Sequence, residues 1–237
     1  MTQKAVLLLS GGLDSSVSAY IAKQDGFTDC YALSFQYGQQ HQKEIQAAKN
    51  IAQKLNVKEH RFFDLPLDLF GGSSLLKKTK QSIPQPESVD SIGNTIPSTY
   101  VPARNTIFLS IALSYAETKK ADAIYIGVTA ADYSGYPDCR PEYIKAYQNL
   151  ANLATKRSVE GKPVTIKTPL LHLSKKEIVQ KGNQLQVPFE HTWSCYNGEK
   201  KACGHCDSCL LRLKGFKEAG FNDPLAYASY PNWYKND

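Results

Sequence analysis

The sequence lacks the long apolar segments that membrane-spanning helices require. Near its start the longest apolar run covers only Ala5 to Leu9, whereas a membrane span needs roughly 20 apolar residues. A secretory signal is not expected either, because Ser10, Gly11 and Gly12 interrupt the run at once. We therefore expect a soluble, cytoplasmic protein with no membrane partner.

The sequence also lacks a concentrated charge of one sign. It has 28 Lys and Arg residues against 22 Asp and Glu, which gives a net charge of +6. This excess suits an anionic ligand such as a nucleotide, but it is too diffuse to predict direct binding of nucleic acid. With 237 residues, 42% of them hydrophobic and 21% charged, the chain is not of the disordered class and can bury a real core.

Short apolar runs alternate with stretches of helical periodicity. The runs predict strands at 4–9, 31–35, 59–63, 123–127 and 163–168. Amphipathic stretches predict helices at 15–23, 40–55 and 106–119, and a capping-box pattern at Ser174 and Glu177 opens another. This alternation predicts an α/β fold with a doubly wound, mostly parallel sheet.

The stretch from 66 to 99 breaks this alternation, because Gly, Ser and Pro are frequent in it. A loop of this length inside a domain is typically a functional flap or a disordered insertion, and we expect a mobile insertion. Its lysines Lys77, Lys78 and Lys80 either reach a phosphate or face solvent.

A glycine-rich turn follows the first predicted strand and consists of Ser10, Gly11, Gly12, Leu13, Asp14, Ser15 and Ser16. In an open α/β sheet such a turn lies at the ligand-binding edge, where a helix N-terminus and hydroxyl groups bind phosphate. Asp14 by itself would repel phosphate, which predicts a bridging Mg²⁺ ion. The alternative is a plain turn with Asp14 as the helix N-cap. The string resembles the PP-loop of the ATP pyrophosphatase superfamily.

Four of the six cysteines lie close together near the C-terminus, at Cys195, Cys203, Cys206 and Cys209. The two-residue spacing of the last three lets their thiolates converge on one tetrahedral ion. Four thiolates close the coordination shell, so we expect one structural zinc ion per chain. An iron–sulfur cluster or a redox-active Cys-x-x-Cys pair would use the same residues and stays open.

A third candidate loop, at 132–142, follows the fourth predicted strand. It offers aromatic faces at Tyr133 and Tyr136 and acceptors for ring N–H groups at Asp132, Asp138 and Glu142. The guanidinium of Arg140 can bind a carboxylate or phosphate. These groups suit a purine-like ligand. The alternative is a surface turn in which Arg140 pairs with an acid.

These motifs together, with Val-Pro-Ala-Arg-Asn at 101–105, resemble the 7-cyano-7-deazaguanine synthase family over nearly the whole chain. The loop at 132–142 is the most specific part, Ser16 stands where many members carry threonine, and 66–99 matches least. The resemblance implies that 7-carboxy-7-deazaguanine and ammonia become a nitrile in queuosine biosynthesis. The acid and then the amide would be adenylated by ATP, with release of AMP and pyrophosphate.

The resemblance also implies roles for single residues. Residues 10–16 would hold the pyrophosphate, Asp14 would help to fix Mg²⁺, and Arg104 would either neutralise the α-phosphate or form a structural salt bridge. The deazaguanine would lie among Asp132, Tyr133, Asp138 and Arg140. We expect a homodimer.

Residues 1–190 are expected to form the PP-loop nucleotide-binding domain, with the zinc-binding segment 191–237 packed on it. Two other functions stay open at this point. A PP-loop sulfur transferase acting on tRNA would use the cysteines to carry sulfur, although no RNA-binding domain or basic stretch is evident. A zinc-containing nucleic-acid binding module would show affinity that falls steeply with salt.

Overall fold

The computed structural model describes residues 3–39, 42–79, 81–86, 89, 92, 95–129 and 135–234. Within these residues five strands form one sheet: β1 (Lys4–Leu8), β2 (Asp29–Gln36), β3 (Glu59–Asp64), β4 (Ala123–Tyr125) and β5 (Thr165–Lys167). Their order across the sheet is β3-β2-β1-β4-β5, and all four pairings are parallel. The predicted parallel sheet is confirmed.

Helices cover both faces of this sheet. They are α1 (Leu13–Gln24), α2 (Lys43–Lys54), α3 (Arg104–Lys119), α4 (Pro141–Ala154), the short α5 (Lys156–Val159), α6 (Lys175–Gln184) and α7 (Asp207–Ala219). Val6 and Leu8 of β1 join the core beneath α3 and α4, whereas Ala5 and Leu7 join the core beneath α1, α2, α6 and α7. The alternation of side chains along a strand thus supplies both cores of a doubly wound fold.

The helices of the described residues share one further property. None of them combines the length and the apolar character that crossing a membrane requires.

The sheet reverses its winding direction between β1 and β4. From β1 the chain adds β2 and β3 on one side, then returns to add β4 and β5 on the other. A crevice opens outside the carboxyl ends of the strands at such a reversal, and ligands bind there in open α/β sheets. The glycine turn and the start of α1 lie at this point, directly after β1.

Helix α3 begins at Arg104, two residues before the predicted start. Its N-cap, Ala103, provides no side-chain oxygen and has a left-handed backbone. The cap comes instead from a distant segment, because Asp138 Oδ2 accepts a hydrogen bond of 2.9 Å from the N–H of Asn105. Because the capping residue lies 33 positions away in the chain, the residues next to the helix start give no sequence signal for this cap.

The described part of the segment 66–99 is anchored in the core. Leu67, Leu75 and Leu76 are buried, and Lys78 pairs with Asp68 at 3.1 Å. Lys77 is exposed, and Lys80 lies outside the described residues. Mobility of the segment, and contact of its lysines with phosphate, stay predictions.

A buried ion pair fixes the C-terminal segment. The side chains of Arg212 and Asp223 are 2% and 1% exposed, and two nitrogens of Arg212 lie 2.7 and 2.9 Å from the Asp223 oxygens. Arg212 also donates to Thr192 Oγ1 at 2.7 Å, and the Tyr227 hydroxyl donates to Asp223 at 2.7 Å. The pair therefore joins α7 to the chain on both of its sides.

We predict that Arg212→Ala lowers the free energy of unfolding by about 3–5 kcal/mol, because Asp223 would keep a buried charge without its partner. The matched control is Arg61→Ala, which removes an exposed arginine paired with Glu59 on the edge strand β3 and should leave the free energy of unfolding almost unchanged. Urea denaturation of both variants measures the difference. Equal losses would contradict the assignment.

Candidate functional site

A cavity of about 240 Å³ lies at the carboxyl edge of the sheet. Its walls come from the glycine turn, the ends of β2 and β4, the first turns of α2 and α3, and the segment before the cysteines. The lining residues include Ser10, Ser15, Tyr37, Glu44, Arg104, Gly127, Tyr136, Cys139, Trp193 and Tyr196. The cavity thus occupies the place where the strand order reverses.

The glycine turn brings the N-terminus of α1 to this cavity. Gly11 has φ +83°, and a Cβ at this position would lie 2.4 Å from the Ala48 nitrogen in α2. Only glycine permits this approach. Gly12 is the N-cap of α1, so the free N–H groups of the first helical turn lie beside the cavity.

Some residues of the glycine turn line the cavity, and others stabilise the turn itself. Ser10, Gly12, Leu13, Asp14 and Ser15 line the cavity, whereas Gly11 and Ser16 are not among its lining residues. The Ser10 and Ser15 hydroxyls lie 2.9 Å apart. The buried Ser16 hydroxyl donates to the Gly12 carbonyl at 2.7 Å, which makes it a support for the turn.

Gly127, after β4, lets this strand approach the turn. A Cβ on Gly127 would lie 2.8 Å from the Ser15 nitrogen and 2.9 Å from the Asp14 carbonyl carbon. The sequence reading did not single out this residue, although its position at the end of a predicted strand was a usable signal. The glycine turn and the first turn of α1 are therefore in close contact with α2 on one side and with the end of β4 on the other.

Asp14 forms an ion pair inside the site. Lys175, the first residue of α6, places its Nζ 2.6 Å from Asp14 Oδ2, and the two side chains are 14% and 26% exposed. Lys175 also escaped the sequence reading, because it lies 161 residues from Asp14. The pair places the cationic side chain of Lys175 at the edge of the predicted phosphate site.

Arg104 faces the cavity from the start of α3. Its NH1 donates to the Tyr37 hydroxyl at 3.3 Å, and its guanidinium lies 5.5 Å from the centre of that ring. Burial works against its charge, but Tyr37, Tyr136, Cys139 and Asp138 outweigh burial and raise the pKa of Arg104. Arg104 is therefore a permanent cation, and no ion pair with a carboxylate is found for it in the described part of the chain.

Glu44, in the first turn of α2, is a carboxyl group in the cavity that sequence reasoning missed. Burial raises the pKa of Glu44 to about 7, an effect that Arg104 opposes and Cys195 reinforces. In the sequence Glu44 is only an acidic residue near the start of a predicted helix, and such residues are common on helix surfaces. The group changes its charge near neutral pH.

The loop at 132–142 reaches the cavity only in part. Asp132 and Tyr133 lie outside the described residues. Asp138 is buried and binds the N–H of Asn105, and Arg140 is exposed at the N-terminus of α4. Neither Asp138 nor Arg140 lines the cavity, whereas Tyr136 and Cys139 do. A role of the four predicted residues in substrate binding stays a prediction.

The four cysteines converge in a separate cluster. Their sulfur atoms all lie within 4.8 Å of one another, and three of the residues are buried. The N–H groups of Asn197 and Cys203 point at Cys195 Sγ, at 3.4 and 3.3 Å, and that of Cys206 points at Cys203 Sγ at 3.3 Å. Such bonds stabilise thiolates, and the donor set fits a tetrahedral metal such as zinc.

Sequence comparisons identify relatives of this chain. The family model described as "Queuosine biosynthesis protein QueC" matches residues 4–220.

This chain belongs to the QueC family.

Two QueC relatives illustrate how close the likeness is. A 7-cyano-7-deazaguanine synthase from Trichormus variabilis is 55% identical over 224 residues, which cover 94% of this chain and 98% of that protein. A protein of the same name from Coxiella burnetii is 56% identical over 228 residues, covering 95% and 98%. The QueC match includes the glycine turn, Arg104 and all four cysteines.

Solved structures similar to this QueC chain are more distant. An NH₃-dependent NAD synthetase from Campylobacter jejuni has a TM-score of 0.46 and 18% identity, over 81% of this chain and 67% of that one. The U34-tRNA thiolase NcsA from Methanococcus maripaludis has a TM-score of 0.44 and 20% identity, over 90% and 64%.

We predict that Cys206→Ser in this QueC chain lowers the bound metal far below one ion per chain and lowers Tm by roughly 10 °C, because metal binding contributes directly to folding. The control is Cys30→Ala, a buried thiol that bonds the Phe27 carbonyl outside the cluster and should keep its metal. Elemental analysis and calorimetry give the two readouts. A metal-free, equally stable Cys206→Ser protein would reject a structural ion.

Proposed function

We propose that this chain is a 7-cyano-7-deazaguanine synthase that converts 7-carboxy-7-deazaguanine and ammonia into the nitrile, with ATP as the activating substrate. Its membership of the QueC family supports an enzyme that makes 7-cyano-7-deazaguanine in queuosine biosynthesis. The observation that carries the ATP-dependent chemistry is the glycine turn, which opens α1 at the reversal point of the sheet and lines the cavity.

The proposed chemistry needs ATP because a carboxylate is a poor electrophile. Its negative charge repels a nucleophile, and oxide is not a usable leaving group. Transfer of AMP to a carboxylate oxygen makes AMP the leaving group, so that ammonia can displace it to form an amide. A second transfer to the amide oxygen then permits loss of AMP and formation of the carbon–nitrogen triple bond.

The glycine turn binds the pyrophosphate part of ATP in this proposal. The N–H groups at the start of α1, which have no acceptor within the helix, point at the anion, and the pair of Ser10 and Ser15 hydroxyls adds a further donor. Lys175 adds a cation through its pair with Asp14. One carboxylate together with substrate phosphates is a usual Mg²⁺ site, so Asp14 fits the ion, which supplies charge neutralisation at the phosphates.

Arg104 serves the other end of the triphosphate. As a permanent cation facing the cavity, it is suited to neutralise the α-phosphate during transfer of AMP. Tyr136 lies on the same wall and bonds Thr99 at 2.9 Å through its hydroxyl. We infer that the deazaguanine stacks near Tyr136, with Asp132, Tyr133, Asp138 and Arg140 as the predicted polar frame.

The cysteine cluster has a structural part in the proposal. Four thiolates leave a bound zinc ion without an open coordination position, so these residues would stabilise the C-terminal segment and take no part in the reaction. That segment forms one wall of the cavity through Trp193, Ser194 and Tyr196. The homodimer and the absence of a nucleic-acid partner remain predictions.

We predict that Asp14→Asn lowers the rate of AMP release at least about 10²-fold, because the site loses the carboxylate that fixes Lys175 and the metal ion. The assay contains protein, Mg²⁺, ATP, ammonium and 7-carboxy-7-deazaguanine, and mass spectrometry identifies nitrile, AMP and pyrophosphate. Asp29→Asn is the control, since Asp29 begins β2 at the opposite edge of the sheet and pairs with Lys58. Release of ADP, or full activity of Asp14→Asn, would contradict the proposal.

A further inference from the structure

The described walls of the cavity contain two carboxyl side chains, Asp14 and Glu44, and their surroundings differ. Asp14 is paired with Lys175 at 2.6 Å. The Glu44 carboxyl accepts no hydrogen bond and forms no ion pair within the residues that the structure describes. Asp14 is thus bound to a cation, whereas the oxygens of the Glu44 carboxyl face the cavity and can accept hydrogen bonds from a ligand.

The backbone fixes Glu44 beside the glycine turn. The Glu44 carbonyl oxygen lies only 2.5 Å from where a Gly11 Cβ would be, so the first turn of α2 crosses the turn at close contact. The charged or titratable groups that act on the Glu44 carboxyl are Arg104 from α3, Tyr37 from the end of β2 and Cys195 from the C-terminal segment. Glu44 therefore lies next to the glycine turn, and the charge of Arg104 acts on its carboxyl.

The proposed reaction requires a proton acceptor in this cavity. At neutral pH ammonia is present almost entirely as ammonium, which has no lone pair with which to attack a carbonyl carbon. No histidine is found among the described lining residues, burial raises the pKa of Tyr37 to about 12, and burial likewise raises the pKa of Tyr196. Arg104 is a permanent cation, and Asp14 is held by Lys175.

We propose that Glu44 binds the ammonium ion in the cavity and accepts the proton whose removal frees the attacking lone pair. This inference rests on the proposed function. The carboxylate of Glu44 attracts the cation by charge and takes one N–H proton. The nitrogen then forms a bond to the acyl carbon as the bond from that carbon to the AMP oxygen breaks. The second N–H proton passes to the phosphate of the departing AMP, and Glu44 returns its proton to water.

This role predicts a selective defect in Glu44→Gln. The variant keeps the size of the side chain but accepts no proton, so kcat/KM for ammonium should fall by about 10²–10⁴-fold. Transfer of AMP to the acid does not involve ammonium, so ATP–pyrophosphate exchange that depends on the acid should stay within about twofold of the unmodified chain. Hydroxylamine is largely uncharged at neutral pH and should release AMP from both proteins at similar rates.

Two further variants separate a proton acceptor from a merely structural residue. Glu44→Asp keeps a carboxylate and should recover a measurable part of the ammonium-dependent rate. Glu160→Gln removes an exposed carboxylate, paired with Lys156 on α5, and should behave like the unmodified chain in all three assays. Circular dichroism of each variant checks folding.

The outcomes are distinguishable. If the unmodified chain forms neither nitrile nor AMP, the proposed function fails, whatever Glu44 does. If it forms both, an unchanged kcat/KM for ammonium in Glu44→Gln overturns the role of Glu44. Loss of exchange in the same proportion as loss of nitrile also overturns it, because the residue would then serve adenylation or folding.

Discussion

The close approach of three backbones at the tip of β1 is the constraint on which the rest of the site depends. The glycine turn touches α2 at Gly11, and the first turn of α1 touches the end of β4 at Gly127; a Cβ on either glycine would lie under 3 Å from main-chain atoms. Real Cβ atoms do not come that near, so another residue would force the backbone apart. The contacts fix where the N–H groups of α1 point and bring Glu44 and Asp14 to one cavity.

The sequence supported predictions wherever the signal was local. Short stretches of sequence contain each of these signals: the glycine turn, the strand pattern, the capping box of α6 and the four cysteines. The structure confirms the parallel sheet and the clustering of the cysteines. Helix α4 begins with a proline at its first position, which is a usual helix start. No helix is predicted here from the sequence, and the binding loop predicted at 132–142 includes the first two residues of α4.

The parts that escaped prediction depend on residues far apart in the chain. Lys175 pairs with Asp14, Asp138 caps α3, and the charge of Arg104 acts on Glu44 only after the sheet has formed. Nothing in the flanking residues encodes such a contact, since each partner is an ordinary polar residue in its own helix or loop. Sequence patterns thus locate the edge of the sheet at which the cavity lies, whereas the charge interactions inside the cavity become visible only in the fold.

A hydrogen bond joins the glycine turn to the C-terminal segment: the Trp193 N–H donates to the Gly11 carbonyl at 2.9 Å. Chains emerge from the ribosome N-terminus first, so the sheet can assemble while this tryptophan is still unmade. The wall that Trp193, Ser194 and Tyr196 give to the cavity is then missing. Synthesis must therefore pass residue 196 before the cavity can be enclosed.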